Sequence, residues 1–304
     1  MNINILSILS LYLTNREKTT LNAINDYKFQ LKNYNNQSQR YLEDDIIDIK
    51  NISIEGINYI SKIGQWNNIL KIKLNKQNLN AVLLSAAEGG HLDIIKYAES
   101  KGAKDWNEAL IGASRGGHFD IVKYAESKGE NIALDWNDAL SHASYGGHLD
   151  IVKYAESKGE DIDWNRVLGD ASFGGHLDIV KYTESKGAND WNLALLKASS
   201  GGSLDIVKYA ESKGANNWNE ALKNASEGGH LDIVKYAESK GEGIDLNWNE
   251  ALKNASLGGH LDIVKYLESK GANDWRGSIS QASRGGHLDI VNYIKSKYIK
   301  SRLR

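Results

Sequence analysis

The sequence predicts an all-α solenoid of stacked helix-turn-helix repeats, and three observations lead to this expectation. The segment GGHLDIVKYAESKG, which starts at Gly228, occurs eight times in lightly altered form. Its Gly-Gly pairs are spaced 27 to 30 residues apart and begin at residues 89, 116, 146, 174, 201, 228, 258 and 285. Such self-similarity is typical of stacked repeats, in which each unit buries its apolar faces against its neighbours. No five-residue stretch of the repeats alternates as a β-strand would.

Composition limits the classes of partner and the compartment. The chain has 304 residues and a formal charge of −2, so no strong field attracts nucleic acid or an anionic membrane, and neither is expected as a partner. Cysteine is absent, which excludes disulfides and thiolate chemistry and fits a reducing, cytoplasmic location. The apolar stretch Ile3–Leu13 lacks the flanks of a secretory signal and is too short to span a bilayer.

The N-terminal region is predicted to close the array. Residues 1–40 are expected to form a helical cap, with a second helix beginning at Thr14, which has capping-box spacing to Glu17. Residues 41–77 are interpreted as a degenerate repeat and connector. Within them, Ser53–Gly64 (SIEGINYISKIG) aligns with the repeated HLDIVKYAESKG, so that Gly64 takes the place of the terminal glycine.

Residues 78–298 are predicted to hold eight repeats, each with two helices. In the best-formed unit, Asn217 is the expected N-cap and Gly228-Gly229 ends the first helix. Leu231, Val234 and Ala237, with Ile233 beside them, are expected to form the buried stripe of the second helix. That helix should close at a left-handed glycine, which recurs as Gly102, Gly129, Gly159, Gly187, Gly214, Gly241 and Gly271.

One tryptophan falls at each junction between repeats. An aromatic side chain of this size buries about 150–250 Å², so we expect it to wedge between neighbouring repeats and fill the space left by small residues. The predicted wedges are Trp106, Trp136, Trp164, Trp191, Trp218, Trp248 and Trp275.

The repeats resemble the ankyrin repeat, in particular the arrays encoded by giant DNA viruses of amoebae. In the unit Asn217–Gly241 the matching positions are Leu222, Ala225, Ser226, Gly229, His230, Ile233, Val234, Ala237 and Gly241. An ankyrin unit has about 33 residues, whereas most spacings here are 27. The missing residues fall where the family's β-hairpin finger projects, so the resemblance implies a shortened finger.

The repeated histidine and aspartate are residue types that bind metals or act in catalysis, but their spacing argues against both functions. A histidine follows seven of the Gly-Gly pairs, but repeats stack about 8–10 Å apart, while zinc needs ligands about 2 Å from one ion. We therefore expect the histidines to bond turn backbone and predict no metal and no cofactor. The repeated Asp in the first turn of the second helix is explained by the helix dipole. Catalysis needs unlike groups in one pocket, so we expect no enzyme activity and no catalytic residue.

The position before Gly-Gly differs between otherwise similar repeats. Its residues include Tyr145 and Phe173 in adjacent units, which could form an aromatic anchor with Arg115 at its rim. In the ankyrin resemblance this position lies on the concave side, where partners commonly bind. The alternative is neutral drift at exposed sites. The partner-binding candidates are Arg115, Tyr145, Phe173, Leu257 and Arg284.

We expect a monomeric, non-catalytic scaffold that binds a protein on this face, followed by a basic C-terminal tail at residues 299–304. The alternative is more specific. Leu9–Phe29 resembles part of an F-box, although the Leu-Pro that usually opens that module is missing. This resemblance implies a substrate adaptor that recruits the Skp1 subunit of a ubiquitin ligase through residues 1–40.

Overall fold

The computed structural model describes residues 57–58, 61–64, 69, 75–129, 133–240 and 245–302. From Lys76 onward these residues form sixteen helices, and the described part of the chain contains no β-strand. The predicted all-α helical-repeat fold is therefore confirmed. The predicted cap at residues 1–40 and the glycine at Gly241 lie outside the described residues.

The sixteen helices form eight consecutive pairs, one for each predicted repeat. In chain order they are α1 Lys76–Gly89 and α2 Leu92–Ser100, α3 Trp106–Gly116 and α4 Phe119–Lys128, α5 Trp136–Gly146 and α6 Leu149–Glu156, α7 Trp164–Gly174 and α8 Leu177–Ser185, α9 Trp191–Gly201 and α10 Leu204–Ser212, α11 Trp218–Gly228 and α12 Leu231–Ser239, α13 Trp248–Gly258 and α14 Leu261–Ser269, and α15 Trp275–Gly285 and α16 Leu288–Arg302.

The chain divides into two compact units, residues 1–139 and 140–304. In the first unit, α1 packs on α2 and α3, and α3 packs on α4. In the second unit, α7, α9, α11, α13 and α15 pack in series, each against the next, and α8, α10 and α12 make lighter contact with one another. First helices thus form the tightly packed row of the second unit.

Small side chains make this close packing possible. In α11, Ala221, Leu222 and Ala225 are fully buried, as predicted. In α12, Ile233 and Val234 are fully buried, whereas Leu231 is only half-buried because it is the first residue of its helix. The buried stripe of the second helix is therefore Ile233, Val234 and Ala237, and it starts two residues after the predicted Leu231.

The two glycines at the end of each first helix are required for different reasons. The second is left-handed throughout, with φ between 79° at Gly286 and 88° at Gly147 and Gly229. The first allows the backbone of the preceding repeat to come close: a Cβ on Gly201 would lie 2.0 Å from the carbonyl oxygen of Phe173. Real Cβ atoms do not approach that closely, so a side chain there would push the repeats apart.

The prediction of a left-handed glycine at every second-helix end is wrong at two positions. Gly102, Gly187, Gly214 and Gly271 have φ between 94° and 100°. Gly129 has φ −86°, and Gly159 is not among the residues with positive φ. The next residue explains the difference. After each left-handed glycine comes an alanine that is buried and donates its N–H to the helix, as Ala215 does to Ala210, which completes a Schellman motif. Glutamate follows Gly129 and Gly159, and there the spacing to the next repeat is longer.

The described part of the degenerate repeat corrects the predicted alignment. Gly64 is left-handed, with φ 72°, and the ring of His91 lies over it as the ring of His118 lies over Gly90. The Ser61 hydroxyl donates to the Ile57 carbonyl four residues back, as Ser226 does to Leu222 in α11. Residues 57–58 and 61–64 therefore match the end of a first helix and its Gly-Gly turn, rather than the end of a second helix.

Side-chain caps begin most first helices. Asp105, Asp163, Asp190, Asn247 and Asp274 each accept a backbone N–H from the first turn. Asn217, the predicted N-cap of α11, makes no such bond.

Candidate interaction surface

The histidines join consecutive repeats. In six of the seven, the Nε2 atom bonds a backbone carbonyl of the preceding repeat, for example His230 with Ser200 O at 3.1 Å and His260 with Glu227 O at 2.9 Å. The same bond is made by His91, His118, His176 and His287. The predicted backbone role is confirmed, but the bonded carbonyl belongs to the neighbouring repeat. Burial lowers the pKa of His260, against a hydrogen bond to the Glu227 carbonyl that raises it.

The asparagine that follows five of the repeated tryptophans forms a second joint, which the sequence analysis missed. Asn165 Oδ1 accepts the backbone N–H groups of Asn189 and Asp190, both at 2.9 Å, in the turn before the next first helix. Bonds of this kind are also made by Asn107, Asn192, Asn219 and Asn249. The recurring Trp-Asn pair was the available signal.

A tyrosine, a glutamate and a lysine form the third joint, between second helices. Glu211 of α10 accepts from the Tyr236 hydroxyl at 2.5 Å and pairs with Lys240 at 2.8 Å. Lys208 and Lys240 lie over the Tyr236 ring, 5.5 and 4.9 Å from its centroid. The same triad recurs with the glutamates Glu99, Glu156, Glu184, Glu238 and Glu268.

The triad shifts the pKa values of its members in a consistent way. Burial alone raises the pKa of Glu211, but hydrogen bonds from Lys240 and Tyr236 outweigh it and leave that pKa below its usual value. Burial and the hydrogen bond to Glu211 raise the pKa of Tyr236. The hydrogen bond to Glu211 raises the pKa of Lys240. The charged carboxylate and ammonium and the neutral phenol are thus the forms that the fold favours.

The repeated tryptophans start the first helices. Trp106 and Trp218 are buried, 6% and 5% exposed, whereas Trp136, Trp164, Trp191, Trp248 and Trp275 are half-buried. Trp218 packs edge-on against Tyr236 of the same helix pair, with centroids 6.0 Å apart, and Trp106, Trp164 and Trp191 do likewise. Each of these rings therefore contacts the tyrosine whose hydroxyl bonds the preceding repeat. That the tryptophans stabilise the stacking of the repeats remains a prediction.

The position before Gly-Gly combines a constant backbone role with changing side chains. In the second unit, the carbonyls of Tyr145, Ser200, Glu227 and Leu257 accept the histidine bond. The rings of Tyr145 and Phe173 stack with centroids 5.7 Å apart and planes inclined by 21°. Leu257 is half-buried and Arg284 exposed. Arg115 belongs to the first unit, where it pairs with Glu88 at 3.5 Å.

The outward face of α9 differs from those of α11 and α13. In the latter two helices an ion pair spans one turn, Glu220 with Lys223 at 3.1 Å and Glu250 with Lys253 at 2.5 Å. In α9 both equivalent positions are leucine, Leu193 and Leu196, and both are half-buried. An apolar segment thus interrupts a charged row.

Other features of the described residues are modest. No group of three or more His, Asp or Glu residues in this part of the chain could hold a metal ion. Nor does any helix there have the length and apolar character to cross a membrane. A polar cleft of about 580 Å³ lies between α11 and α13, next to Leu246 and Trp248.

Neither a family model nor a curated protein sequence gives a significant match to this chain. The contacts within the repeats are therefore the basis for the functional argument.

Proposed function

We propose that the chain is a non-catalytic scaffold that binds a protein partner through the side chains at the C-terminal ends of its first helices. The support comes from how the repeated residues are used. Histidine, asparagine and the Tyr–Glu–Lys triad hold one repeat to the next, whereas the side chain before Gly-Gly takes no part in the histidine bond. A side chain there can change without loosening the array, which is what a binding surface on a repeat scaffold needs.

The stacked pair of Tyr145 and Phe173 is the observation that carries the proposal. The two rings come from different repeats, α5 and α7, and both are half-buried. Tyrosine and other aromatic residues are enriched among the residues that dominate binding energy at protein interfaces. A preformed stack also loses little conformational entropy on binding.

Affinity capture from an amoebal lysate tests this function. The full chain is the bait, and the double variant Tyr145→Ala/Phe173→Ala is compared with Ser200→Ala/Glu227→Ala, which alters the same row away from the stack. We expect the aromatic variant to lose the captured protein and the control to retain it, with both variants folded by circular dichroism. Equal capture by wild type and the aromatic variant would refute the site.

The finer identity is part of the same proposal. The array is an ankyrin-type solenoid with shortened fingers, of the kind that giant DNA viruses of amoebae encode, and it acts in the host cytoplasm. The asparagine joint supports the shortened finger, because its amide oxygen bonds the turn backbone at the place where a hairpin would otherwise begin.

The second candidate is a substrate adaptor, and the F-box-like segment Leu9–Phe29 favours it. In this function residues 1–40 bind Skp1 and the repeats hold the target. Co-purification of Skp1 with the full chain, and its loss when residues 1–40 are removed, would support the adaptor. Absence of Skp1 from the full-chain complex would reject the adaptor and leave the scaffold as the remaining candidate function.

A further inference from the structure

We propose that the partner docks an acidic, apolar peptide segment across α5, α7 and α9. Its apolar anchor would lie on Tyr145, Phe173 and Leu193, and an adjacent carboxylate would pair with Lys197. This inference rests on the proposed function and specifies the chemistry of the partner. The surface defined by Tyr145, Gly169, Phe173, Leu193 and Lys197 is called the α9 patch below.

The apolar part of the α9 patch is continuous. Phe173 stacks on Tyr145 and lies one helical turn after Gly169, on the same face of α7. Gly169 has no side chain, and the Leu193 side chain covers it: a Cβ on Gly169 would lie 3.2 Å from Leu193 Cδ2. The apolar surface therefore extends from the two rings across Gly169 to α9.

The charge at the edge of the patch is positive. Lys197 extends over Gly169, with its Cγ 3.6 Å from the same hypothetical Cβ, and it is exposed. Leu193 occupies the position one turn before Lys197, and no described residue forms an ion pair with this lysine. The other two charged residues nearby, Arg166 and Asp170, form an ion pair with each other, with 3.9 Å between Arg166 Nε and Asp170 Oδ2.

Comparison with the neighbouring helices shows why α9 is the exception. Lys223 and Lys253 lie one residue before the positions equivalent to Lys197, and they have glutamates three residues earlier, so their charges are already matched within the chain. A ligand carboxylate gains most where it meets a cation without an internal partner. An apolar anchor gains most where the surface carries leucine and aromatic rings instead of hydrated ion pairs. Both conditions hold in the α9 patch.

A displayed peptide library tests the inference. Each 12-residue peptide has a fixed central Leu or Phe and randomised flanking residues, and selection is carried out on the immobilised full chain. We expect Asp and Glu to be enriched over Lys and Arg by about threefold or more within one turn of the anchor. Lys197→Gln should abolish this preference. The control Lys208→Gln removes the same charge from α10 of the same repeat and should leave the preference intact.

Three results would overturn the inference: no enrichment of any sequence, equal enrichment of basic residues, or an acidic preference that survives Lys197→Gln. The proposed function has its own test in the capture experiment. Capture lost in Tyr145→Ala/Phe173→Ala without an acidic preference in the library would retain the scaffold and reject this peptide chemistry. An acidic preference in the library, with capture unchanged in Tyr145→Ala/Phe173→Ala, would retain this peptide chemistry and reject the aromatic pair as the site of the proposed function.

Discussion

Of the three joints that hold consecutive repeats of the second unit together, the Gly-Gly and histidine joint and the triad joint are built on different principles. At the ends of the first helices, the Gly-Gly turn brings backbones into direct contact, and histidine bonds a carbonyl across the joint. Between the second helices, long side chains span a wider separation through the Tyr–Glu–Lys triad. The Gly-Gly joint depends on glycine leaving room for close backbone contact, whereas the triad depends on charges.

The difference predicts how each joint tolerates change. Close-packed backbone has no space for an added methyl group, so substitutions in the Gly-Gly joint should act through sterics and be insensitive to salt. The triad is partly exposed, and exposed ion pairs contribute little and are screened. Substitutions in the Gly-Gly joint should therefore cost more stability than substitutions in the triad.

The largest effect is expected from Trp218→Ala. This ring is 5% exposed and packs against Tyr236, so its loss removes buried apolar area and also the support of the tyrosine in the triad. We expect a loss of about 3–5 kcal/mol in the free energy of unfolding, measured by urea denaturation. Trp248→Ala, at a half-buried equivalent, should cost less. A loss below about 1 kcal/mol for Trp218→Ala would refute the wedge.

Gly201→Ala should cost about 3 kcal/mol, because its Cβ would collide with the Phe173 carbonyl, which cannot move without shifting the backbone. Gly169→Ala is the matched control within a neighbouring first helix. The nearest atoms to its Cβ belong to the flexible side chains of Leu193 and Lys197, and alanine favours helix by about 1 kcal/mol. Opposite signs are therefore expected for the two substitutions in urea denaturation. Equal effects would mean that close backbone approach does not distinguish the Gly-Gly joint.

The chain contains its own test of the histidine bond. Ser203 replaces histidine after α9, next to Gly175. His230→Ala should cost about 1–2 kcal/mol, since it removes the bond to Ser200 O and leaves that carbonyl without its partner. Ser203→His should instead raise stability by about 0.5–1 kcal/mol by bonding the Phe173 carbonyl. A destabilised Ser203→His variant with an intact fold would show that the joint gains nothing from histidine.

Helical periodicity and glycine spacing predicted the eight helix pairs and the first-helix ends, because both depend on residues within one or two turns. The joints could not be predicted in the same way. Their bonds link residues 24 to 33 positions apart, from Asn165 with Asn189 to His260 with Glu227, so a local pattern does not say which carbonyl is reached. The alignment of residues 53–64 failed for a related reason, since a final glycine ends both kinds of helix. The α9 patch required comparison of equivalent positions across repeats.

The smallest effect concerns pH and isolates the triad. Hydrogen bonds from Lys240 and Tyr236, opposed by burial, leave the pKa of Glu211 lowered in the folded chain. Unfolded chains therefore bind this proton more readily. The stabilisation is present above the ordinary glutamate pKa of about 4.5 and is lost as the pH falls through the lower folded value.

Urea midpoints of wild type and Glu211→Gln should accordingly differ at pH 7, and the difference should shrink as the pH falls through the lowered pKa of Glu211 and the wild-type carboxylate also becomes neutral. Ser239→Ala, which removes an uncharged bond to Tyr236 O at the same joint, should show the same difference throughout this acidification. His260 should add an earlier acid step, below about 6.5, because burial lowers its folded pKa. On the alkaline side the signs reverse, since the raised pKa values of Tyr236 and Lys240 keep their contribution intact below about pH 10 and lose it above. If the Glu211→Gln deficit does not shrink on acidification, the triad acts through shape alone, and the contrast between the Gly-Gly joint and the triad disappears.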